Sequence, residues 1–463
     1  MRHRVLAPTV LVLIGFMTPR WESIRAQEQA NPEHVEMIVG FLSDADKDIR
    51  SLAYDQIRTE AVGEAATKRF AESLSVLASE ARIGLLSALA DRGDRSAKPA
   101  VTTVLASSKD ESVRAAAIRA LGKLGDATDI PALISLLTAP ADSTKEAARA
   151  SLVQLRGDDV LPVMIESIAN LDPRVRVALV EILTARRALT AIPTLLKLAA
   201  GKEATVRAAA MAALGQLAGP EHVGGMAQGV LTAVKGAERT AAEKNLMFVC
   251  SRIPEKDERA EPLRSAMQTL EAHEQIVMLS TLGRIGGASA LREVDQAIAS
   301  PRPKLHTAGI QAISNWPDAS VAGRLIELAK SDEHDDHRRK ARMALIRIAP
   351  LPDGRTDVEK LDLLQAAFDL ADDDQQRNYA LARAAAIRLI ETLRFVLPYV
   401  DQDRYAQQAC QTVVDLAHHR KLRDKNKQEF HAALDKVIKT SSDTVVVERA
   451  NRYKLGQTWV RPR

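Results

Sequence analysis

The sequence predicts an all-α fold, an α-solenoid of about eleven stacked antiparallel helix pairs, and three observations support this prediction. Apolar residues make up 46% of the 463 residues and aromatic residues only 3%, a balance that favours regular packing of helix on helix over a core filled by bulky rings. Equivalent residues recur at intervals of 31. Within each interval the apolar residues follow helical spacing.

The repeat is clearest between residues 80 and 220. Four columns keep the 31-residue step, namely Val113, Thr144, Val175 and Val206; Arg114, Lys145, Arg176 and Arg207; Leu121, Leu152, Leu183 and Leu214; and Pro131, Pro162 and Pro193. An earlier copy with Arg82 and Leu89 fits with a step of 32. One unit cannot bury its own apolar faces, whereas stacked neighbours can.

Each unit has the start and stop signals of two helices. Asp110 can accept a backbone N–H at a helix start, and an apolar stripe runs through residues 113–124. Gly122 and Gly125 are expected to provide a left-handed end to this helix. Pro131 then occupies the first turn of the next helix, where its missing N–H costs nothing.

Copies with weaker spacing lie on both sides of this region, and helices are predicted over residues 380–390 and 405–416. The positions that carry the register outside the clearest region are Asp46, Leu282, Ile313 and Leu345. Divergent terminal copies are typical of repeat arrays, in which the end units act as caps.

The run DESVRAAAIRALGKLGDATDIPAL, residues 110–133, resembles a HEAT repeat. More narrowly, it is similar to the short HEAT-like units first named from phycobilisome lyases. The resemblance implies an α-solenoid with protein-binding surfaces. It does not imply lyase activity, because that family name covers many non-catalytic scaffolds, and this chain differs from a bilin lyase in its predicted export and its few aromatic residues.

The N-terminus has the pattern of a secretory signal. Basic residues in 1–4 precede a 13-residue apolar run, Val5 to Met17, and Ala26 is a small residue for cleavage. The run is shorter than the roughly 20 apolar residues that span a membrane. We therefore predict a signal peptide over residues 1–26 and export to the periplasm or the cell exterior, with a retained N-terminal anchor as the alternative.

Charge divides the chain unevenly. The formal net charge of +4 falls to +1 without residues 1–26, which carry four Arg and one Glu. Residues 418–463 contain 12 Lys and Arg against 5 Asp and Glu, a net charge of +7, so residues 27–417 carry −6. We predict a solenoid over 27–417 and a basic C-terminal helix and tail over 418–463. This tail is either a solvated last helix or a contact for an anionic surface, and its few aromatic residues argue against nucleic acid.

A cation recurs at one position of each unit, with an acidic residue in register in most units. The members of this predicted structural ladder are Asp110, Arg114, Lys145, Asp172, Arg176, Glu203 and Arg207. They could form a basic stripe for an anionic ligand, or an internal ladder in which each cation bonds the acidic cap of a neighbouring turn. We favour the ladder, because structural ion pairs require an acid in register.

The sequence offers one metal-binding pattern, His334 and His337 in the run EHDDH. Two histidines three residues apart could reach one ion on a helical turn, but a solvated turn explains the run as well, and a metal site needs further fixed ligands. We expect no resident metal, with His334 and His337 as the candidates if one binds. His418 and His419 are adjacent, so on a helix they point in different directions.

Catalytic motifs are missing from the sequence: it contains no HExxH, GxSxG, phosphate-loop or dinucleotide fingerprint. We therefore expect a non-enzymatic scaffold without a cofactor that binds a protein partner. The alternatives are an accessory lyase-type or chromophore-handling factor and a surface-anchoring protein that uses the basic tail.

The two cysteines are predicted to be free. Cys250 and Cys410 lie 160 residues apart, or about five repeats. Helices that pack about 8–10 Å apart would separate them by roughly 40–50 Å. A disulfide requires Cα atoms within about 7 Å.

Overall fold

The structure is a computed structural model that describes residues 31–459. Within that range it consists of 27 α-helices, short 3-10 turns and no strand. The predicted all-α class is confirmed. The helices outnumber the 22 of eleven pairs, and part of the excess follows His418, where the sequence predicted one helix.

The chain divides into two compact units between Arg186 and Arg187. The described helices of the first unit are α1 (Pro32–Phe41), α2 (Lys47–Thr59), α3 (Glu64–Glu72), α4 (Ser79–Arg92), α5 (Lys98–Ser107), α6 (Glu111–Leu124), α7 (Ile130–Leu136), α8 (Asp142–Gln154), α9 (Val160–Ser167) and α10 (Pro173–Ala185).

The second unit contains the remaining helices. They are α11 (Ile192–Ala199), α12 (Ala204–Leu217), α13 (Val223–Thr232), α14 (Ala237–Cys250), α15 (Glu261–Met267), α16 (Ala272–Ile285), α17 (Ala288–Ile298), α18 (Pro303–Ser314), α19 (Ala322–Ser331), α20 (Asp335–Ile348), α21 (Asp357–Asp369), α22 (Asp374–Ala384), α23 (Ile390–Val396), α24 (Asp403–His418), α25 (Arg420–Lys425), α26 (Lys427–Thr440) and α27 (Thr444–Lys454).

Each unit is a two-layer α-solenoid. In the first unit the even-numbered helices pack in order, α2 on α4, α4 on α6, α6 on α8 and α8 on α10, and we call them the even layer. In the second unit the series runs from α12 to α26. Odd-numbered helices contact one another beside it, for example α7 with α9 and α11 with α13, and form the odd layer. This is the arrangement in which a helix buries its apolar face against equivalent helices of neighbouring repeats.

Helix α6 shows how the sequence produces this packing. Asp110 Oδ1 accepts the backbone N–H groups of Ser112 and Val113, which satisfies two donors at the helix start. Nine of the 14 residues of α6 are buried, including Leu121 and Leu124, because this helix packs against α4, α5 and α8.

The glycines of α6 do not form the left-handed end that the sequence predicted. Gly125 has φ −78°, an ordinary value, and Gly122 lies inside the helix. A Cβ at Gly122 would lie 2.7 Å from the Cα of Ser151 on α8. Gly283 of α16 is in similar contact with the backbone of Ala312 on α18. Gly122 and Gly283 are therefore required by the close approach of neighbouring even-layer helices.

Several predictions concern the two ends of the chain. The predicted signal, residues 1–26, lies outside the described residues. At the other end, α24 ends at His418, and α25, α26 and α27 all pack onto it. The predicted basic helix and tail is therefore, up to Lys454, three packed helices. None of the described helices is long and apolar enough to cross a membrane.

Both cysteines are free and buried, as the sequence predicted. Cys250 is the last residue of α14, and Cys410 lies within α24. Burial raises the pKa of the Cys250 thiol to about 12 and that of the Cys410 thiol to about 11. Neither group is therefore a ready thiolate nucleophile at neutral pH.

Candidate functional site

Three cations of the predicted ladder donate to carbonyl oxygens at the end of the preceding helix or in the turn that follows it. Arg114 Nη1 donates to a carbonyl oxygen of α5 at 3.3 Å, and Arg176 Nε donates to Leu171 O at 2.7 Å. Lys145 differs, because its Nζ lies 2.6 Å from Asp142 Oδ1 in its own helix. The last carbonyl groups of a helix lack intrahelical donors and carry partial negative charge, so a cation at this position stabilises them.

Arg207 combines this contact with an ion pair to the next repeat. Its Nη1 donates to Gly201 O at 3.0 Å and Lys202 O at 2.6 Å, while Nε donates to Glu238 Oε1 at 2.8 Å. The hydrogen bond from Arg207 lowers the pKa of the Glu238 carboxyl. Arg207 is buried, so this pair is shielded from solvent and joins α12 to α14.

Two acids of the ladder, Asp110 and Asp172, cap their own helices. Asp172 accepts the N–H of Arg174 at the start of α10, as Asp110 does in α6. Within the described residues, Glu203 precedes α12 without a side-chain bond to the helix start. The expectation that each cation bonds the acidic cap of a neighbouring turn is therefore corrected: the partners of Arg114 and Arg176 are carbonyl oxygens, which residue spacing does not reveal.

A second set of arginines, which the sequence analysis missed, connects successive even-layer helices. Arg186, just after α10, donates from Nη1 to Leu152 O at 2.8 Å and Val153 O at 2.7 Å, and from Nη2 to Leu155 O at 2.8 Å. Equivalent contacts to the end of the previous even-layer helix are made by Arg92, Arg252, Arg347 and Arg383. The sequence does show an arginine near the end of each of these helices. It does not show the partner, which is again a backbone carbonyl oxygen.

Four side chains that could ligate a metal ion meet in the second unit. His334 and His337, the two candidates from the sequence, lie beside His306 and Asp332, and one ligand atom from each residue lies within 4.8 Å of all the others. Asp332 Oδ1 lies 3.1 Å from His337 Nδ1 and 3.6 Å from His334 Nδ1, and Asp332 Oδ2 lies 3.2 Å from His306 Nε2.

Two repeats supply these groups. His306 is in the first turn of α18, Asp332 follows the last residue of α19, and His334 and His337 stand at the start of α20. The His334 backbone N–H donates to Asp332 Oδ1 at 2.9 Å, which fixes the carboxylate beneath the histidines. Burial alone would raise the pKa of Asp332, but this N–H bond and the charge of His337 hold it below its ordinary value.

The cluster is closed on one side and open on the other. Asp332 and His337 are buried, whereas the side chain of His334 is 62% exposed. A cavity of about 560 Å³ adjoins the cluster, and its lining includes His306, Asp332, His334 and the side chain of Arg324. A small ligand or water can therefore reach the cluster from this side.

Comparison with known proteins agrees with the repeat architecture. The family model for HEAT repeats matches residues 71–153. The chain therefore contains HEAT repeats. No curated protein matches its sequence.

Solved structures of the same fold include two of a karyopherin. Kap121p bound to the SUMO protease Ulp1p superposes with a TM-score of 0.51 at 15% identity, over 92% of this chain and 54% of that one. Kap121p bound to Ste12p gives 0.50 at 14% identity, over 92% and 53%. This HEAT-repeat protein thus spans about half the length of those chains, and at such identity the likeness shows the fold alone.

The narrower resemblance to phycobilisome-lyase units stays a prediction. The complex of CpcE and CpcF of phycocyanin lyase from Nostoc sp. PCC7120 matches with a TM-score of only 0.26, at 21% identity over 57% of this chain and 100% of that one. A superposition of this quality carries no argument about function.

The other polar residues singled out in the sequence lie outside the cluster. The carboxylate that faces the histidines is Asp332, while Asp335, from the EHDDH run, pairs with Arg338 on the same helix. His418 Nδ1 lies 2.8 Å from the Tyr453 hydroxyl. His418 is thus hydrogen-bonded to α27.

The basic C-terminal segment is largely tied to its surroundings. Arg423 is buried and donates to Ala417 O at 2.9 Å, and Arg449 pairs with Asp415 at 2.8 Å. Further cation–carboxylate pairs are Arg420–Asp424, Lys436–Asp401, Arg452–Glu448 and Lys454–Asp435. The pairs of Arg449 and Lys454 connect α27 to α24 and α26, while the other pairs lie within one helix or reach Asp401. Together they leave fewer free cations for an external anion.

Proposed function

We propose that this HEAT-repeat protein is an exported, non-enzymatic scaffold that binds a protein partner along its stacked repeats. The observation that supports it is the two-layer arrangement, which presents the outer faces of several equivalent helices side by side within each unit. Such a surface suits an extended partner, because each repeat offers a similar contact and affinity accumulates along the array.

The odd layer of the first unit illustrates such a surface. Thr102 of α5, Ser135 of α7 and Glu166 of α9 are exposed positions on successive odd-numbered helices. The side chains are small or singly charged, so a partner could approach closely. The two karyopherin structures of the same fold are complexes with other proteins, Ulp1p and Ste12p, which supports this use of stacked HEAT repeats.

Export is the part of the proposal that rests on sequence alone. The basic and apolar pattern of residues 1–17 and the small residue Ala26 support it. Buried free thiols are compatible with an oxidising compartment, since a buried Cys is protected from oxidants.

Affinity isolation from the organism's own exported fraction tests the proposal. The folded protein is expected to retain one or a few proteins in stoichiometric amount and no coloured small molecule. A matched bait, Leu121→Asp with Leu214→Asp, buries two unpaired charges in the repeat core and should lose the partner together with the fold.

Two outcomes would contradict the proposal. A partner retained equally by the folded and the unfolded bait would be non-specific. A chromophore that co-purifies with the folded protein, seen as visible absorption, would support the lyase-type alternative.

A further inference from the structure

We propose that His306, Asp332, His334 and His337 form a binding site for one divalent transition-metal ion of the zinc class. The proposal goes beyond the scaffold function, since it assigns a ligand to this place where two repeats meet.

The donor atoms are close to the spacing that zinc requires. Zinc bonds to histidine nitrogen are about 2.0–2.1 Å long, so tetrahedral ligand atoms lie roughly 3.4 Å apart. The four groups already have donor atoms within 4.8 Å of one another. The largest separation would have to shrink by roughly 1.4 Å to complete the site, and the side chain of His334, which is exposed, is the one with most room to move.

The hydrogen bonds around His306 leave a ring nitrogen available. Its Nδ1 lies 2.5 Å from Ile298 O, and since a carbonyl oxygen can only accept, Nδ1 carries the proton. In the neutral ring Nε2 then presents a lone pair to Asp332 Oδ2 at 3.2 Å. Two lone pairs face each other, and either a second proton or a metal ion must lie between them.

His337 is arranged in a similar way. Its Nε2 lies 3.3 Å from Thr307 Oγ1, and its Nδ1 lies 3.1 Å from Asp332 Oδ1. If Nε2 donates to the Thr307 hydroxyl, Nδ1 is free to bind a cation beside the carboxylate. Metal-ligating histidines usually donate their second N–H to an oxygen in this manner, which fixes the tautomer and the ring orientation.

Half-buried His306 and buried His337 interrupt columns that several other repeats keep. His306 is the fourth residue of its helix, where Arg114, Arg176 and Arg207 stand, and His337 is the third, a place held by Val113 in α6. His337 is only 5% exposed. An imidazole in a buried apolar column costs stability unless it is bonded, and departures from a repeat pattern that converge in space indicate a functional site.

The donor set indicates the class of ion. Three imidazole nitrogens and one carboxylate suit zinc, copper or nickel, whereas calcium and magnesium prefer oxygen ligands. An ion here would connect α18 to α20 and would hold the two repeats in one register, so binding should raise the stability of the protein.

Titration with zinc chloride tests the site. The chain is produced without a polyhistidine tag, treated with a chelator, and titrated calorimetrically. We expect one zinc ion per chain, a higher melting temperature, and, with cobalt(II) as the probe, the strong visible absorption of tetrahedral coordination. Magnesium chloride should neither bind stoichiometrically nor raise the melting temperature.

Variants separate a built site from adventitious binding. His334→Ala removes an exposed ligand, so the protein should fold and bind zinc at least tenfold more weakly. Asp332→Asn should weaken binding as well and is checked for folding by circular dichroism. His273→Ala changes an exposed histidine of α16 outside the cluster and should leave binding unchanged.

Two results would overturn the proposal. One is that the wild-type chain binds no zinc stoichiometrically. The other is that His334→Ala binds zinc as tightly as His273→Ala does, in which case the histidines and Asp332 form a protonated ion-pair cluster.

Discussion

The contact of Arg186 with the end of α8 yields a quantitative prediction. Arg186→Met keeps the aliphatic stem but removes three charge-assisted hydrogen bonds, each 2.7 or 2.8 Å long, to carbonyl oxygens of α8 and the residue that follows it. A hydrogen bond to a charged group contributes about 1.5–3 kcal/mol. Because Arg186 is half-buried, water can replace part of what is lost, and we expect the free energy of unfolding to fall by about 2–4 kcal/mol in total.

Urea denaturation followed by far-UV circular dichroism measures this loss. The matched control is Arg187→Met, which removes the same charge from the exposed neighbouring residue and should change the free energy of unfolding by less than about 0.5 kcal/mol. Equal effects of the two substitutions would refute the view that these arginines hold successive repeats together.

Three further predictions follow from the packing. Gly283→Ala should destabilise the protein by about 1–3 kcal/mol, because its Cβ would meet the backbone of the next even-layer helix. Its control is Gly323→Ala in α19, where a Cβ would meet open space, so this change should be neutral or stabilise by up to about 1 kcal/mol. Urea denaturation compares the free energies of unfolding of the two variants. Arg187→Gly should raise the melting temperature slightly, since residue 187 has φ 53°, a left-handed conformation in which a side chain is strained. A lower melting temperature in calorimetry would refute this prediction. A thiol reagent at mildly alkaline pH should label Cys250 and Cys410 slowly in the folded protein, because both are buried and burial raises their pKa values. After denaturation without reductant, both should react rapidly. If neither reacts after denaturation, the two cysteines form a disulfide and the prediction is wrong.

Residue spacing predicted the helices well. The even-layer helices bury one stripe each, and Leu121 and Leu214, chosen from the 31-residue step, are both in the core. The pattern succeeded because burial recurs with the repeat, and the period of an apolar stripe is visible in any window of the sequence.

Main-chain partners could not be predicted from the same pattern. The carbonyl oxygens that bind Arg114 and Arg186 belong to every residue type, so no side chain marks them. Gly122 was assigned to a helix end for a similar reason, because close approach to α8 depends on how neighbouring repeats pack and not on the local sequence.

The histidine cluster was half visible in the sequence. His334 and His337 are close in the chain, but His306 lies one repeat earlier, and Asp332 lies just outside the EHDDH run that the sequence pattern marked. The step from α18 to α20 is 32 residues, so His306 and His337, which are 31 residues apart, occupy different columns and the repeat step did not connect them.

Mapping the partner on the repeat surface tests most directly whether the stacked helices act as a protein-binding scaffold. A photo-crosslinking amino acid is placed, one position at a time, at Thr102, Ser135 and Glu166 of the odd layer and at Arg119 and Glu146 of the even layer, all of which are exposed. We expect the same exported protein to be crosslinked from successive positions of one layer and not from the other. Crosslinks to no protein from any position, or to unrelated proteins from both layers alike, would contradict the proposed function.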